Sequence, residues 1–195
     1  MSTKYNLKKI LIIRLSSIGD VILTSHLPRL LKNKESKTGL VEIYLLTSHG
    51  IAPLFQNEKN YKHILQYDGK NIPELKQAIN NIQFDVILDL QKNSISGKLV
   101  EGFEGDLRIV NKFRQQKLEM VYLKKFPKEI VHVGERYLDT CRDLIIDDGK
   151  GLLLALSSNK NEQITNKKII GIAPEAFHKT KRWPQDRFSE LIDLL

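Results

Sequence analysis

An open, doubly wound parallel sheet of the Rossmann-like α/β class is the fold this sequence predicts. Three observations predict it. Short apolar runs alternate with helix-period segments about five times before residue 111. The connections between them are short, which argues for parallel strands, right-handed crossovers and helices on both faces. No sequence repeat or low-complexity tract interrupts the pattern.

Residues 8–15 read as a buried strand, a short run rich in isoleucine. Residues 21–33 read as a helix, because Ile22, Leu23, Leu27, Leu30 and Leu31 recur at three- and four-residue steps. Residues 41–46 are a second strand, 51–57 a short helix and 63–67 a third, weaker strand. Residues 72–82 form a helix with Leu75, Ile79 and Ile82 on one side; 84–90 are a strong fourth strand, 94–103 a helix and 107–110 a fifth strand. After a basic segment, residues 132–146 read as a long helix with Tyr137, Leu138, Cys141, Leu144 and Ile145 on its apolar side, stopped by Asp147-Asp148-Gly149-Lys150-Gly151. Residues 152–156 read as a short strand, 157–168 as a polar linker, 169–173 as a fresh strand and 186–195 as a fresh helix. Residues 1–150 are therefore expected to form one Rossmann-like domain with a linker helix. Residues 151–195 are expected to hold a linker and the beginning of a second such domain. One strand and one helix cannot make a sheet, so the chain reads as cut off in mid-pattern.

The 195 residues carry a net charge of +8 and a single cysteine, Cys141. One cysteine makes no internal disulfide and suits a reducing cytosol. The start, MSTKYNLKK, has no secretory pattern, and no run approaches the roughly 20 apolar residues of a membrane span, so a soluble, cytoplasmic protein is expected. The basic surplus concentrates locally: Arg108, Lys112, Arg114, Lys117, Lys124, Lys125 and Lys128 face Glu119 alone. Such a patch suits a phosphorylated substrate or an anionic membrane, or is a solvated lysine-rich face. Nucleic acid fits less well, because RNA-binding aromatic, helix-turn-helix and zinc patterns are all missing. The five histidines show no metal spacing, so no metal is expected. The sequence has no G-x-S-x-G elbow, no G-x-G-x-x-G and no Walker lysine.

Three stretches carry candidate chemistry. In Ser16-Ser17-Ile18-Gly19-Asp20 a strand hands over to a helix, where free N–H groups and the positive dipole end favour anions and Gly19 permits close approach. Ser17 and Asp20 also fit a capping box, so Asp20 is either a capping acid or a catalytic one. In FDVILDLQKNSISGK, residues 84–98, Asp89 closes a strand and Gln91, Lys92 and Asn93 follow at the crevice end of the sheet. Asn93 equally suits a helix cap. In IAPEAFHKTKRWPQDRF, residues 172–188, cations and a hydroxyl precede a helix opened by Pro184, a pattern suited to a diphosphate.

In this order and at these distances the stretches resemble glycosyltransferase family 9, the lipopolysaccharide heptosyltransferases. The likeness rests on Arg14 to Val21, with Pro28 in the following helix; on Phe84 to Asn93; on His132, Glu135, Arg136, Tyr137 and Leu138; and on Pro174-Glu175-Ala176 with Lys181-Arg182-Trp183-Pro184. Glu175 stands where the family's turn has glycine. The resemblance implies a GT-B fold, two Rossmann-like domains facing a cleft, and inverting, metal-independent transfer with no cofactor beyond the nucleotide-sugar donor, usually ADP-heptose. The acceptor would be a phosphorylated lipopolysaccharide core. By the same resemblance Asp20 is the general base. Thr180 and Lys181 hold the donor diphosphate, while Ser16, Ser17, Gly19, Gln91, Asn93 and Arg114 lie on the acceptor side. The basic patch would face the acceptor and make a peripheral contact with the inner membrane surface. Family members continue for more than 100 further residues, so little transfer is expected of this chain alone. A rival expectation is a non-catalytic anion- or glycolipid-binding domain, or a subunit completed by a partner chain or an oligomer through its incomplete last unit.

Overall fold

The computed structural model describes residues 8–33, 40–125, 131–152, 154–155, 169–176 and 178–195. The chain divides into two compact units, Met1–Ser157 and Ser158–Leu195.

The first unit is built on five parallel strands: β1 (Lys8–Ile13), β2 (Val41–Ser48), β3 (His63–Tyr67), β4 (Val86–Asp89) and β5 (Asp106–Ile109), in the order β3-β2-β1-β4-β5. Register follows the apolar runs: Ile10 lies opposite Ile43 and Val86, and Ile13 opposite Leu46 and Asp89. Alternate residues of a strand point to opposite faces, and each face here has its own core. Ile10, Ile12, Ile43, Leu45, Val86 and Leu88 pack with Leu27, Leu30 and Leu31 of α2 (Leu27–Lys32) and with Phe55, Tyr137, Leu138 and Cys141. Leu11, Ile13, Leu15, Leu46 and Ile87 pack with Leu75 and Ile79 of α3 (Ile72–Ile82) and Leu99 of α4 (Ser94–Val100). Each fully buried aliphatic side chain contributes about 1.5–3 kcal/mol. The expected doubly wound sheet is thus present, and near-continuous apolar strands are what burial on both faces requires.

Several elements differ from the sequence reading. The helix expected over 21–33 is two, α1 (Ile18–Ile22) and α2. Thr24 breaks it: its hydroxyl donates to the Val21 carbonyl (2.7 Å), and Pro28, which has no N–H, sits in the first turn of the restarted helix. The helix expected over 132–146 stops early, as α6 (Val133–Asp139). Tight turns follow, with Cys141 N–H donating to Leu138 and Leu144 N–H to Cys141, and they keep Cys141, Leu144 and Ile145 buried without a regular helix. The basic segment contains a helix that apolar periodicity did not show, α5 (Arg114–Tyr122). The short helix near residue 51 is a 3-10 turn, Ala52–Phe55. Residues 152, 154 and 155 belong to no strand, and the linker expected over 157–168 lies outside the described residues.

In the second unit, residues 169–173 are not a strand. A strand persists only where a neighbour completes its hydrogen-bond ladder, and no strand occurs among this unit's described residues. A 3-10 turn, Lys179–Lys181, leads to α7 (Gln185–Asp193), whose start Trp183 and Phe188 brace edge to face at 4.8 Å. Arg182 Nε donates to the Ala176 carbonyl at 2.6 Å.

Candidate functional site

In the strand order β3-β2-β1-β4-β5 the connection reverses between β1 and β4, and a crevice opens beyond the carboxyl ends of the strands at such a point. Arg14 follows the last residue of β1 and Leu90 the last of β4. Arg14 is 8% exposed. One guanidinium nitrogen donates to the Leu90 carbonyl at 2.6 Å, and the other meets Asp20 Oδ2 at 2.6 Å. The guanidinium also lies 5.6 Å from the ring centroid of Tyr137 on α6, within cation–π range. Carbonyl, carboxylate and ring together hold this cation in one orientation.

Asp20 sits at the third position of α1. Its Oδ2 accepts from Ser17 N–H (3.3 Å) and Ser17 Oγ (3.1 Å) as well as from Arg14. Every hydrogen bond it takes from the described residues falls on Oδ2, leaving Oδ1 unengaged. Partial burial pushes the carboxyl pKa up; the Arg14 charge, its hydrogen bond and those from Ser17 outweigh this and hold it below the usual carboxylate value. Capping and an oxygen free to take a proton thus coexist on one residue.

Arg14, Asp20 and Tyr137 line a pocket of about 220 Å3 with Asn111, Lys112 and Arg136. Asp20 is the single carboxylate among its described lining residues, against three cations, so the pocket favours an anionic ligand. Arg136 is fixed by two donations to the Val131 carbonyl, at 3.0 and 2.7 Å, and lies over the Phe113 ring. The Tyr137 hydroxyl is buried and has no hydrogen-bond partner among the described residues. Burial raises its pKa to about 12, so it remains a donor at neutral pH. Other hollows, of about 260, 330 and 230 Å3, are larger, but none of them is lined by Arg14, Asp20 or Leu90.

The expected acceptor-side residues take different places. Ser16, Ser17 and Gly19 are exposed on the loop before and into α1. Gln91 is buried, and its side-chain oxygen accepts from Leu15 N–H (3.0 Å) and Ser16 N–H (3.3 Å), so it holds that loop in place. Asn93 caps α4, its oxygen accepting from Ile95 and Ser96 N–H. Behind it, buried Asp89 accepts from Gln91 N–H, Lys92 N–H and Ser96 Oγ, which rigidifies the turn below the crevice. Arg114 is exposed at the start of α5. Thr180 and Lys181 are exposed on the 3-10 turn of the second unit. Among the described residues no group of three or more His, Cys, Asp or Glu could hold a metal ion. The anchoring role of Arg14 was missed; the available signal was a cation closing a buried apolar strand six residues before an acid.

A family model described as glycosyltransferase family 9 (heptosyltransferase) matches residues 72–195. A search of curated proteins returns no significant match. Among solved structures, a glycosyl transferase family 9 protein from Veillonella parvula aligns over 100% of this chain and 61% of its own, at 19% identity and a TM-score of 0.70. The Escherichia coli heptosyltransferase WaaC, solved with ADP, aligns over 96% and 63% at 15% identity and a TM-score of 0.62. The same protein has been solved with ADP-2-deoxy-2-fluoro heptose. The Escherichia coli ADP-heptose lps heptosyltransferase II aligns over 95% and 60% at 19% identity and a TM-score of 0.61. These likenesses establish a shared GT-B fold, and the chain spans about three fifths of the length of each structure.

Proposed function

Since this chain belongs to glycosyltransferase family 9, the heptosyltransferases, we propose that it serves inverting transfer of heptose from ADP-heptose to a hydroxyl of a phosphorylated lipopolysaccharide core. The observation that carries this reading is the Arg14–Asp20 pair at the sheet's reversal point, with Oδ1 of Asp20 taking no hydrogen bond from the described residues. The acceptor hydroxyl attacks the anomeric carbon, the bond from that carbon to the diphosphate oxygen breaks, and ADP departs with the electron pair. The hydroxyl proton passes to Asp20 Oδ1. A carboxylate held below its usual pKa is a weak base. It suffices when proton transfer trails cleavage, because the attacking oxygen becomes acidic as its new bond forms. Lys112 and Arg136 would meet the acceptor's anionic groups, Thr180 and Lys181 the donor diphosphate. No step calls on a metal. The nucleotide in the WaaC structures supports the donor class. The basic patch supports an anionic acceptor and a peripheral position at the cytoplasmic membrane face.

The test follows ADP release from ADP-heptose with a phosphorylated, heptose-free core acceptor, comparing wild type with Asp20→Asn. Turnover by this chain alone should be slow, and the variant should lose a further 10²–10⁴-fold, the usual contribution of a general base. Where turnover is too slow to time, acceptor titration followed by NMR should shift the Arg14, Lys112 and Tyr137 signals. Equal rates, or an acceptor that perturbs none of these residues, would overturn the reading.

A further inference from the structure

Helix α5 turns its large apolar side chains away from the core. Leu118 is 56% exposed, Val121 61%, Tyr122 76% and the following Leu123 61%. Leu118, Val121 and Tyr122 stand three and four residues apart and so share one stripe of the helix. The same spacing places Arg114 one turn before Leu118, and past the last helical residue, Tyr122, the chain turns through Lys124 (φ +54°) and Lys125, so cations lie at both ends. Lys124 is exposed. The one acid of the helix, Glu119, is half-buried, falls off the stripe and accepts from Gln115 Nε2 at 3.2 Å.

An apolar stripe with a tyrosine on it and cations at both ends matches the interface of an anionic bilayer. Tyrosine prefers the headgroup level, and long cations cover apolar surface with their stems while their heads reach the phosphates. A nine-residue helix cannot span a bilayer, and no described helix is long and apolar enough to cross one, so the contact would lie in the surface plane. We infer that α5 and residues 123–125 seat this protein on an anionic phospholipid surface. Leu118, Val121 and Tyr122 enter the headgroup layer, and Arg114, Lys124 and Lys125 pair with lipid phosphates. This deepens the membrane-facing part of the reading above, and its test needs neither donor nor acceptor.

The experiment is flotation of the whole chain with phosphatidylcholine vesicles, with and without phosphatidylglycerol. Binding should require phosphatidylglycerol and fall with salt. Lys124→Gln with Lys125→Gln should weaken it about 30-fold, since each cation near such a surface is worth about fivefold. Val121→Ser with Tyr122→Ser should weaken it on the same vesicles while leaving circular dichroism unchanged, because both side chains are exposed. Failure to float with phosphatidylglycerol, or binding that survives both double variants, overturns the inference. A concentration-dependent dimer that Val121→Ser with Tyr122→Ser abolishes, with vesicles ignored, assigns the stripe to a second copy and overturns it as well. Loss of sugar transfer with vesicle binding intact would fault the proposed function and leave this inference standing.

Discussion

Replacing Arg14 with methionine removes the guanidinium while keeping a long stem against the Tyr137 ring. The buried Leu90 carbonyl then loses a charged donor at 2.6 Å, a change worth about 1–3 kcal/mol when nothing replaces it. The Asp20 partner adds less, because its side chain is 30% exposed and water can reach it, so the lost ion pair counts for at most about 1 kcal/mol. Against both stands relief from holding a cation in a nearly closed site. A net loss of about 2 kcal/mol follows, or about 4–8 °C in melting temperature for a chain of this size. The charge change gives a second readout. Burial raises the Asp20 pKa and Arg14 lowers it, so removing Arg14 moves the carboxyl upward. A carboxylate whose folded pKa is depressed stabilises the fold above its unfolded value, and loses that contribution as pH falls through the folded one. The melting difference between wild type and variant should therefore narrow in acid, below the ordinary aspartate range. The assay is thermal melting across pH together with NMR titration of the Asp20 side-chain carbon, assigned with Asp20→Asn. An unchanged Asp20 titration in Arg14→Met would refute the reasoning, even if the melting temperature fell, because the two groups would then not be coupled.

Gln91→Leu should leave the buried Leu15 N–H without its acceptor, costing about 1–3 kcal/mol and speeding hydrogen exchange at Leu15 and Ser16; Gln91→Glu, which keeps an oxygen, should slow that exchange again. Cys141 is fully buried, and burial raises its thiol pKa to about 12, so at pH 8 a thiol reagent should label it only on the timescale of unfolding and at once in denaturant. Prompt labelling of the native chain would contradict that burial.

The sheet was legible because its strands are short apolar runs, and β3 and α3 occupy the residues that periodicity marked. What escaped was whatever periodicity does not encode. The apolar spacing of residues 21–33 continues through Thr24, Ser25 and His26, because the turn there keeps its flanking leucines on the core side. Only Pro28 signalled a restart. Helix α5 escaped for the opposite reason: its apolar stripe, Leu118, Val121 and Tyr122, covers little more than one turn of a polar segment, too short for a period to stand out. At the site, Asp20 and its loop were legible from the strand-to-helix junction. The roles of Gln91 and Arg14 were not, since both depend on β1 lying beside β4, a pairing that local sequence does not state.

That pairing also bears on how the chain folds. Arg14 to Leu90 and Leu15 to Gln91 each join residues 76 apart, farther than the β1–β2 partners. Closing so long a loop carries an entropic cost that must be met before the contact yields anything, so such pairings tend to form late and to slow folding. The β1-β2-β3 half and the β4-β5 half can each gather around nearer contacts, and the seam between them closes last. The crevice has no existence before that closure. A partly folded chain would carry both halves and no Arg14–Asp20 pair seated on Leu90, so recovery of the site during refolding times the final step of assembly.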